Sequence, residues 1–229
     1  IPRQGGELVQ SIRRRGRDDS LRPMVLLLIC IVVAPSAVNF IERAARAGFG
    51  APTYFPLDVD DVGKLGRVSV KDEIAERAPI MLQHYARHQP AYADLAETGQ
   101  QPSLMLYSEI DHHAIWLLEI EQGILAIRAW EKVNGRELSS LFTLDFVDIM
   151  NLLLDRRPPR HVPIGIDPTR SNPRLETQMI ESLRQTDAIL APKCPLTSVR
   201  AAIFKHFART LEGRSKVALA PCWDMYLKP

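Results

Sequence analysis

From residue 104 to the end, short apolar runs alternate with stretches whose apolar residues recur every three or four positions, and this alternation constrains the fold most. Leu104–Ile110, Leu138–Leu144, Val162–Ile166, Ala188–Ala191, Lys216–Ala220 and Trp223–Leu227 read as strands bounded by turn residues. Between them Leu117, Ile120, Ile124, Ile127 and Trp130 mark one face of a helix that Asn134 and Gly135 end. Leu175–Leu183 and Val199–Leu211 read as two further helices, the second stopped by Gly213. Strands alternating with helices over short connections predict βαβ crossovers. The expected class is α/β, a mainly parallel sheet with helices on both faces.

Upstream, Ile74, Ala78, Leu82 and Tyr85 keep helical spacing, while Pro79 and Pro90 divide residues 71 to 97 into two helices or one bent helix. Residues 42–70 contain Gly48, Gly50, Pro52, Pro56 and Gly63 and read as a linker. The α/β domain is expected over 71–229.

The N-terminus is of a different kind. Residues 1–22 hold six arginines against Glu7, Asp18 and Asp19, a local charge of +3, and leave −1 for the remainder of a chain whose formal charge is +2. Met24–Ile41 then runs for eighteen residues without a formal charge. A helix of that length just crosses a hydrocarbon core of about 30 Å. The expectation is a basic cytoplasmic segment at 1–22, a transmembrane helix at 23–41, and an extracytoplasmic domain beyond it, because arginine-rich flanks stay inside. A secretory signal with Ala34, Pro35 and Ser36 at its exit and a buried core helix are the competing readings. A chain starting at Ile1 also allows a fragment of a longer polypeptide, with 24–41 the last of several spans.

With 46% hydrophobic residues and a near-neutral balance, the sequence excludes a disordered chain. No basic stripe gives nucleic acid a surface to bind. No Gly-x-Gly-x-x-Gly, phosphate loop or Gly-x-Ser-x-Gly is present, and the sequence implies no cofactor. Cys194 and Cys222 each follow a short apolar run and an Ala-Pro pair. Were those runs neighbouring parallel strands, both sulfurs would leave the sheet at one edge, close enough for a disulfide. Two reduced cysteines in a cytoplasmic protein is the alternative.

Ligands of open α/β sheets bind beyond the carboxyl ends of the strands. The residues there are Asp111, His112 and His113, then Asp145, Asp167 and Lys193–Cys194. Aspartates at successive strand ends can hold a divalent cation or act as acid and base. They also cap helices and start turns, as the Asp167–Pro168 pair would. Asp111-His112-His113 resembles the signature of the DHH phosphoesterases, with Asp58 and Asp60 in place of that family's Asp-x-Asp. The resemblance implies metal ligation by Asp111, His112 and His113; joined with the strand-end aspartates, it gives as an alternative function a metal-dependent phosphoesterase or hydrolase using Asp111, His112, Asp145 and Asp167. The alternative is that Asp111 caps a helix with both histidines in its first turn. His84 and His88 lie four apart, a zinc-compatible spacing that also fits a solvated helix face.

Ser140–Phe146, Arg156–Arg160, Asp187–Lys193 and Pro221–Lys228 together resemble the C-terminal extracytoplasmic domain of bacterial multi-pass envelope proteins, some grouped with membrane glycosyltransferases that use polyprenyl-phosphate sugars. That resemblance implies the trailing, non-catalytic domain of a larger membrane enzyme. Its partners would be the inner membrane and a glycan or polyprenyl-linked sugar.

Overall fold

The computed structural model describes residues 53–100, 110–168, 170 and 173–229, together with 23, 33–34, 37–45 and 48 of the N-terminal part. The chain divides into two units, Ile1–Pro52 and Thr53–Pro229. In the first, residues 37–45 are helical. The basic segment and most of the expected span lie outside the described residues, among which no helix is long and apolar enough to cross a membrane.

The second unit begins earlier than residue 71. Tyr54–Pro56 (β1) pairs antiparallel with Ser69–Lys71 (β2), and a 3-10 turn at Asp60–Leu65 lies between them. Leu57, Val59, Val62 and Val70 are buried, so the stretch expected as a linker is anchored in the core. Its glycines and prolines turn the chain without releasing it from the domain. Gly66, at φ 100°, makes one of these turns in a conformation that side chains disfavour.

The proline-divided region forms two helices, Asp72–Arg87 (α1) and Gln89–Glu97 (α2). Pro79 sits within α1, and Pro90 falls in the first turn of α2, where its missing N–H costs nothing. The strand expected at Leu104–Ile110 lies almost wholly outside the described residues, and Ile110 itself opens the 25-residue helix α3, Ile110–Asn134. Ile120, Ile124 and Ile127 of its apolar face are fully buried.

Leu141–Thr143 (β3), Ala188–Pro192 (β4), Ser215–Ala220 (β5) and Trp223–Leu227 (β6) form one sheet in the order β3-β4-β6-β5. Only β3 and β4 run parallel; β6 is antiparallel to both β4 and β5. The sheet is therefore mixed, not mainly parallel. The reason lies in the connections: β3 reaches β4 through a long crossover containing Met150–Leu154 (α4) and Thr177–Gln185 (α5), whereas β5 and β6 are joined by Pro221 and Cys222 alone, which permits only a hairpin. Val162–Ile166 does not join the sheet. It makes an isolated antiparallel bridge, Val147 with Gly165, fastened by Ile166 N to Phe146 O (2.9 Å) and Asp148 N to Ile164 O (2.8 Å). Pro163 has no N–H with which to extend a ladder.

Helices cover both faces, as the alternation of side chains requires. Leu141, Ala188 and Leu190 face α3, while Phe142, Ile189 and Ala191 face α5 and the helix Ser198–Phe207 (α6). Gly123 lets α3 approach the sheet closely: a Cβ there would lie 2.8 Å from the Trp223 ring. The same indole donates from Nε1 to the Glu119 carbonyl at 2.8 Å.

Candidate functional site

α3 runs its first three turns past the carboxyl end of β3. His112, Trp116 and Glu119 fall at intervals of four and three, on one helix face. Two residues beyond β3 comes Asp145. α6 starts at Ser198 behind the N-cap Thr197, whose side chain accepts from Arg200 N at 3.1 Å, and this fixes Arg200 on the first turn.

These three elements converge on one buried guanidinium. Arg200 donates from Nε to Asp145 Oδ1 (3.2 Å) and from Nη2 to Asp145 Oδ2 (2.8 Å). It also donates to Glu119, from Nη2 to Oε2 (2.7 Å) and from Nη1 to Oε1 (3.2 Å), and from Nη1 to the Pro195 carbonyl (3.1 Å). The side chains of Arg200, Glu119 and Asp145 are 5%, 0% and 6% exposed. Remaining lone pairs are used: Glu119 Oε1 accepts from Cys194 N (2.9 Å), and Asp145 accepts from Trp116 Nε1 (3.2 Å) and Phe146 N (2.8 Å). A buried charge left unpaired would cost several kcal/mol, which explains the completeness of this network.

One cation faces two carboxylates, so protons redistribute. Burial pushes the Glu119 carboxyl up to about 7 against the pull of Arg200. Burial works against the charge on Arg200, but Asp145 and Glu119 outweigh it and hold its pKa above the ordinary value. His112 is brought down to about 4 by burial, then by Arg200 and His113, with Asp145 opposing. It is therefore a neutral imidazole at physiological pH. Asp148, next along from the cleft wall, is pushed up to about 7 by burial despite the hydrogen bond its carboxylate accepts from Asn151 Nδ2 (2.7 Å).

Above the network opens a cleft of about 610 Å³. Its walls include His112, His113, Trp116, Asp145, Phe146, Asp167, Arg170 and Arg200. Phe146 is 47% exposed, an aromatic ring left facing solvent. The Val147–Gly165 bridge brings the residues after β3 beside those before Asp167. Arg170 N donates to Asp167 O at 3.1 Å, so Asp167 does start a turn, and Arg170 Nε stands 3.9 Å from its carboxylate.

Four of the sequence-derived candidates thus share one cleft: His112, His113, Asp145 and Asp167. Asp111 does not line it; its carboxylate pairs with Arg77 at 2.5 Å, in the first turn of α3. Asp58 and Asp60 are exposed, beside and within the 3-10 turn. Asp111, His112 and His113 do not converge as a ligand set. Among the described residues the close group of three metal-type donors is Glu119 with Cys194 and Cys222, and there a disulfide takes both sulfurs. The Cys194–Cys222 disulfide has a Cα separation of 5.1 Å. It joins the residue two past β4 to the β5–β6 turn, so the route differs from neighbouring parallel strands. Lys193 N to Cys222 O, at 2.8 Å, closes the same corner. His84 on α1 and His88, between α1 and α2, are exposed, their rings 4.5 Å apart beside Tyr85 and Tyr92.

Glu119, Arg200 and Trp116 were not read from the sequence as site residues. The available signal was a charge on an otherwise apolar helix face: Glu119 lies beside Ile120 and one turn from Ile115, and Arg200 shares its side of α6 with Ile203 and Phe207. No family model, curated protein or solved structure matches this chain, so a functional reading rests on the geometry of the cleft.

Proposed function

We propose that residues 53–229 form an extracytoplasmic binding domain that takes a glycan or lipid-linked sugar in the cleft beside Trp116. The observation that carries this reading is the pairing of aromatic rings with fixed polar groups. Trp116 and Phe146 present apolar surface, and Asp167, His112 and Arg170 line the same space with acceptors and donors. Sugars offer an apolar ring face edged by hydroxyls, which need both kinds of contact. Arg200 holds Asp145, and Asp145 holds the Trp116 indole, so these two walls are organised before a ligand arrives. The disulfide supports an oxidising compartment, and the arginine-rich start followed by an uncharged run supports a membrane tether that leaves this unit outside.

The carboxylates favour binding over metal-dependent hydrolysis. Both oxygens of Asp145 are taken by Arg200, and Asp111 pairs with Arg77 and does not line the cleft, so the two do not supply a shared cation site there. Calorimetric titration with soluble chito-, manno- and arabino-oligosaccharides tests the proposal. Saturable binding to one of them, weakened about tenfold or more by Phe146→Ala, is the expected result, since an aromatic anchor is worth over 1 kcal/mol. No binding to any of them, or binding indifferent to both Phe146→Ala and Asp167→Asn, would refute it.

A further inference from the structure

A second cleft, of about 580 Å³, is lined by α2, α6 and the strands β5 and β6. α6 turns Ser198, Ala201 and Ala202 toward it, and these short side chains leave the space open. Three lysines from three separate stretches line it: Lys193 just past β4, Lys205 on α6, and Lys216 on β5. Asp224, only 7% exposed, stands between two of them. Lys193 Nζ lies 2.8 Å from its Oδ1 and Lys216 Nζ 2.9 Å from its Oδ2. Lys216 also lies 5.9 Å from the centre of the Tyr226 ring.

One carboxylate between two ammonium groups leaves positive charge uncompensated at that point. Each ammonium has three N–H donors, of which Asp224 takes one. Lys205 adds a third cation from the helix side, while Glu97, the other acid lining the cleft, is exposed. A carboxylate ligand brings one negative charge on two oxygens, fewer acceptor oxygens than three lysines can serve. A phosphate group, with oxygens arranged tetrahedrally, can meet all three.

We propose that this cleft is a binding site for the phosphate or diphosphate group of a ligand, held by Lys193, Lys205 and Lys216. It shares Arg200 with the carbohydrate cleft as a common wall, but none of its lysines lines that cleft, and it stands whether or not that reading does. The test titrates the full chain with pyrophosphate at low ionic strength, alongside phosphatidylcholine vesicles with and without phosphatidic acid. Saturable binding is expected to at least one of these phosphate probes, and which one binds tells a soluble ligand from a membrane-borne one. Lys205 is exposed and Lys216 is 57% exposed, so a Lys205→Gln/Lys216→Gln double variant keeps the fold. It should weaken binding about tenfold or more, the loss of charge-assisted hydrogen bonds, while Phe146→Ala in the other cleft leaves it unchanged. Absence of binding to both probes, or an unchanged affinity in the double variant, would overturn the proposal.

Discussion

Arg200→Met removes the one cation from a pocket that holds two carboxylates. Methionine fills much of the same volume, so the change is chiefly electrostatic: Glu119, fully buried, and Asp145, 5% exposed, lose their common partner. Breaking a buried ion pair from one side costs about 3–5 kcal/mol. For a unit of this size that is a fall in melting temperature of roughly 6–20 °C, at about 2–4 °C per kcal/mol. The loss must also depend on pH. Without Arg200, the carboxyls escape the penalty only by binding protons, which is cheap near their unfolded pKa values and costs about 1.4 kcal/mol per pH unit per group above them. The difference between wild type and variant should therefore be largest at neutral pH and shrink as pH falls toward about 4.5. Guanidinium denaturation of both proteins across that range gives the difference directly. A loss under about 1 kcal/mol at neutral pH, or one that does not change with pH, would refute the claim that Arg200 exists to neutralise these two groups.

Three further predictions use the same framework. Because the folded pKa of Glu119 is raised to about 7, the native state holds an extra proton from about pH 4.5 upward, so stability falls as pH rises through that window; Glu119→Gln should flatten the slope by up to about 1.4 kcal/mol per pH unit, although the lowered pKa of His112 tilts the wild-type curve the other way and must be common to both proteins. Urea titrations of wild type and variant at several pH values decide this, and identical slopes would count against it. Gly123→Ala should destabilise by about 1–3 kcal/mol, since the added methyl meets the rigid Trp223 ring and the Met150 methyl; a melting temperature within error of wild type would show that α3 can move away freely. Reducing Cys194–Cys222, which are 28 positions apart, should cost about 3–4 kcal/mol by the loop-entropy argument, measured as the shift of the denaturation midpoint with and without reductant.

Much of this molecule could be read before its structure. Leu117, Ile120, Ile124 and Ile127 repeat at helical spacing because one side of α3 is buried throughout, and burial of that kind leaves its period in the sequence. Strands β4 and β6 were visible as apolar runs, but a run buried on both faces does not say which way its neighbour points. The two-residue link at Pro221 and Cys222 held that information for β5 and β6, and the parallel expectation overlooked it. Asp145 and Asp167 were legible as residues ending apolar runs. Glu119 and Arg200 were not, because each looks like a lone charge on its own helix; they become a pair only when α3 and α6 meet across a separation of 81 residues. The stretch before β2 was misjudged because turn residues mark changes of direction whether the chain is tethered or packed.

The proposed sugar site is the cleft beside Trp116. The chain carries three tryptophans, Trp116, Trp130 and Trp223, and their indole N–H signals report from three different places. Trp116 Nε1 donates to Asp145 at the cleft, whereas Trp223 Nε1 is buried against the Glu119 carbonyl. In an NMR titration with the oligosaccharide that binds, the Trp116 indole signal should move progressively to saturation while those of Trp130 and Trp223 stay in place. A Trp116 signal that does not move under saturating ligand would contradict the account.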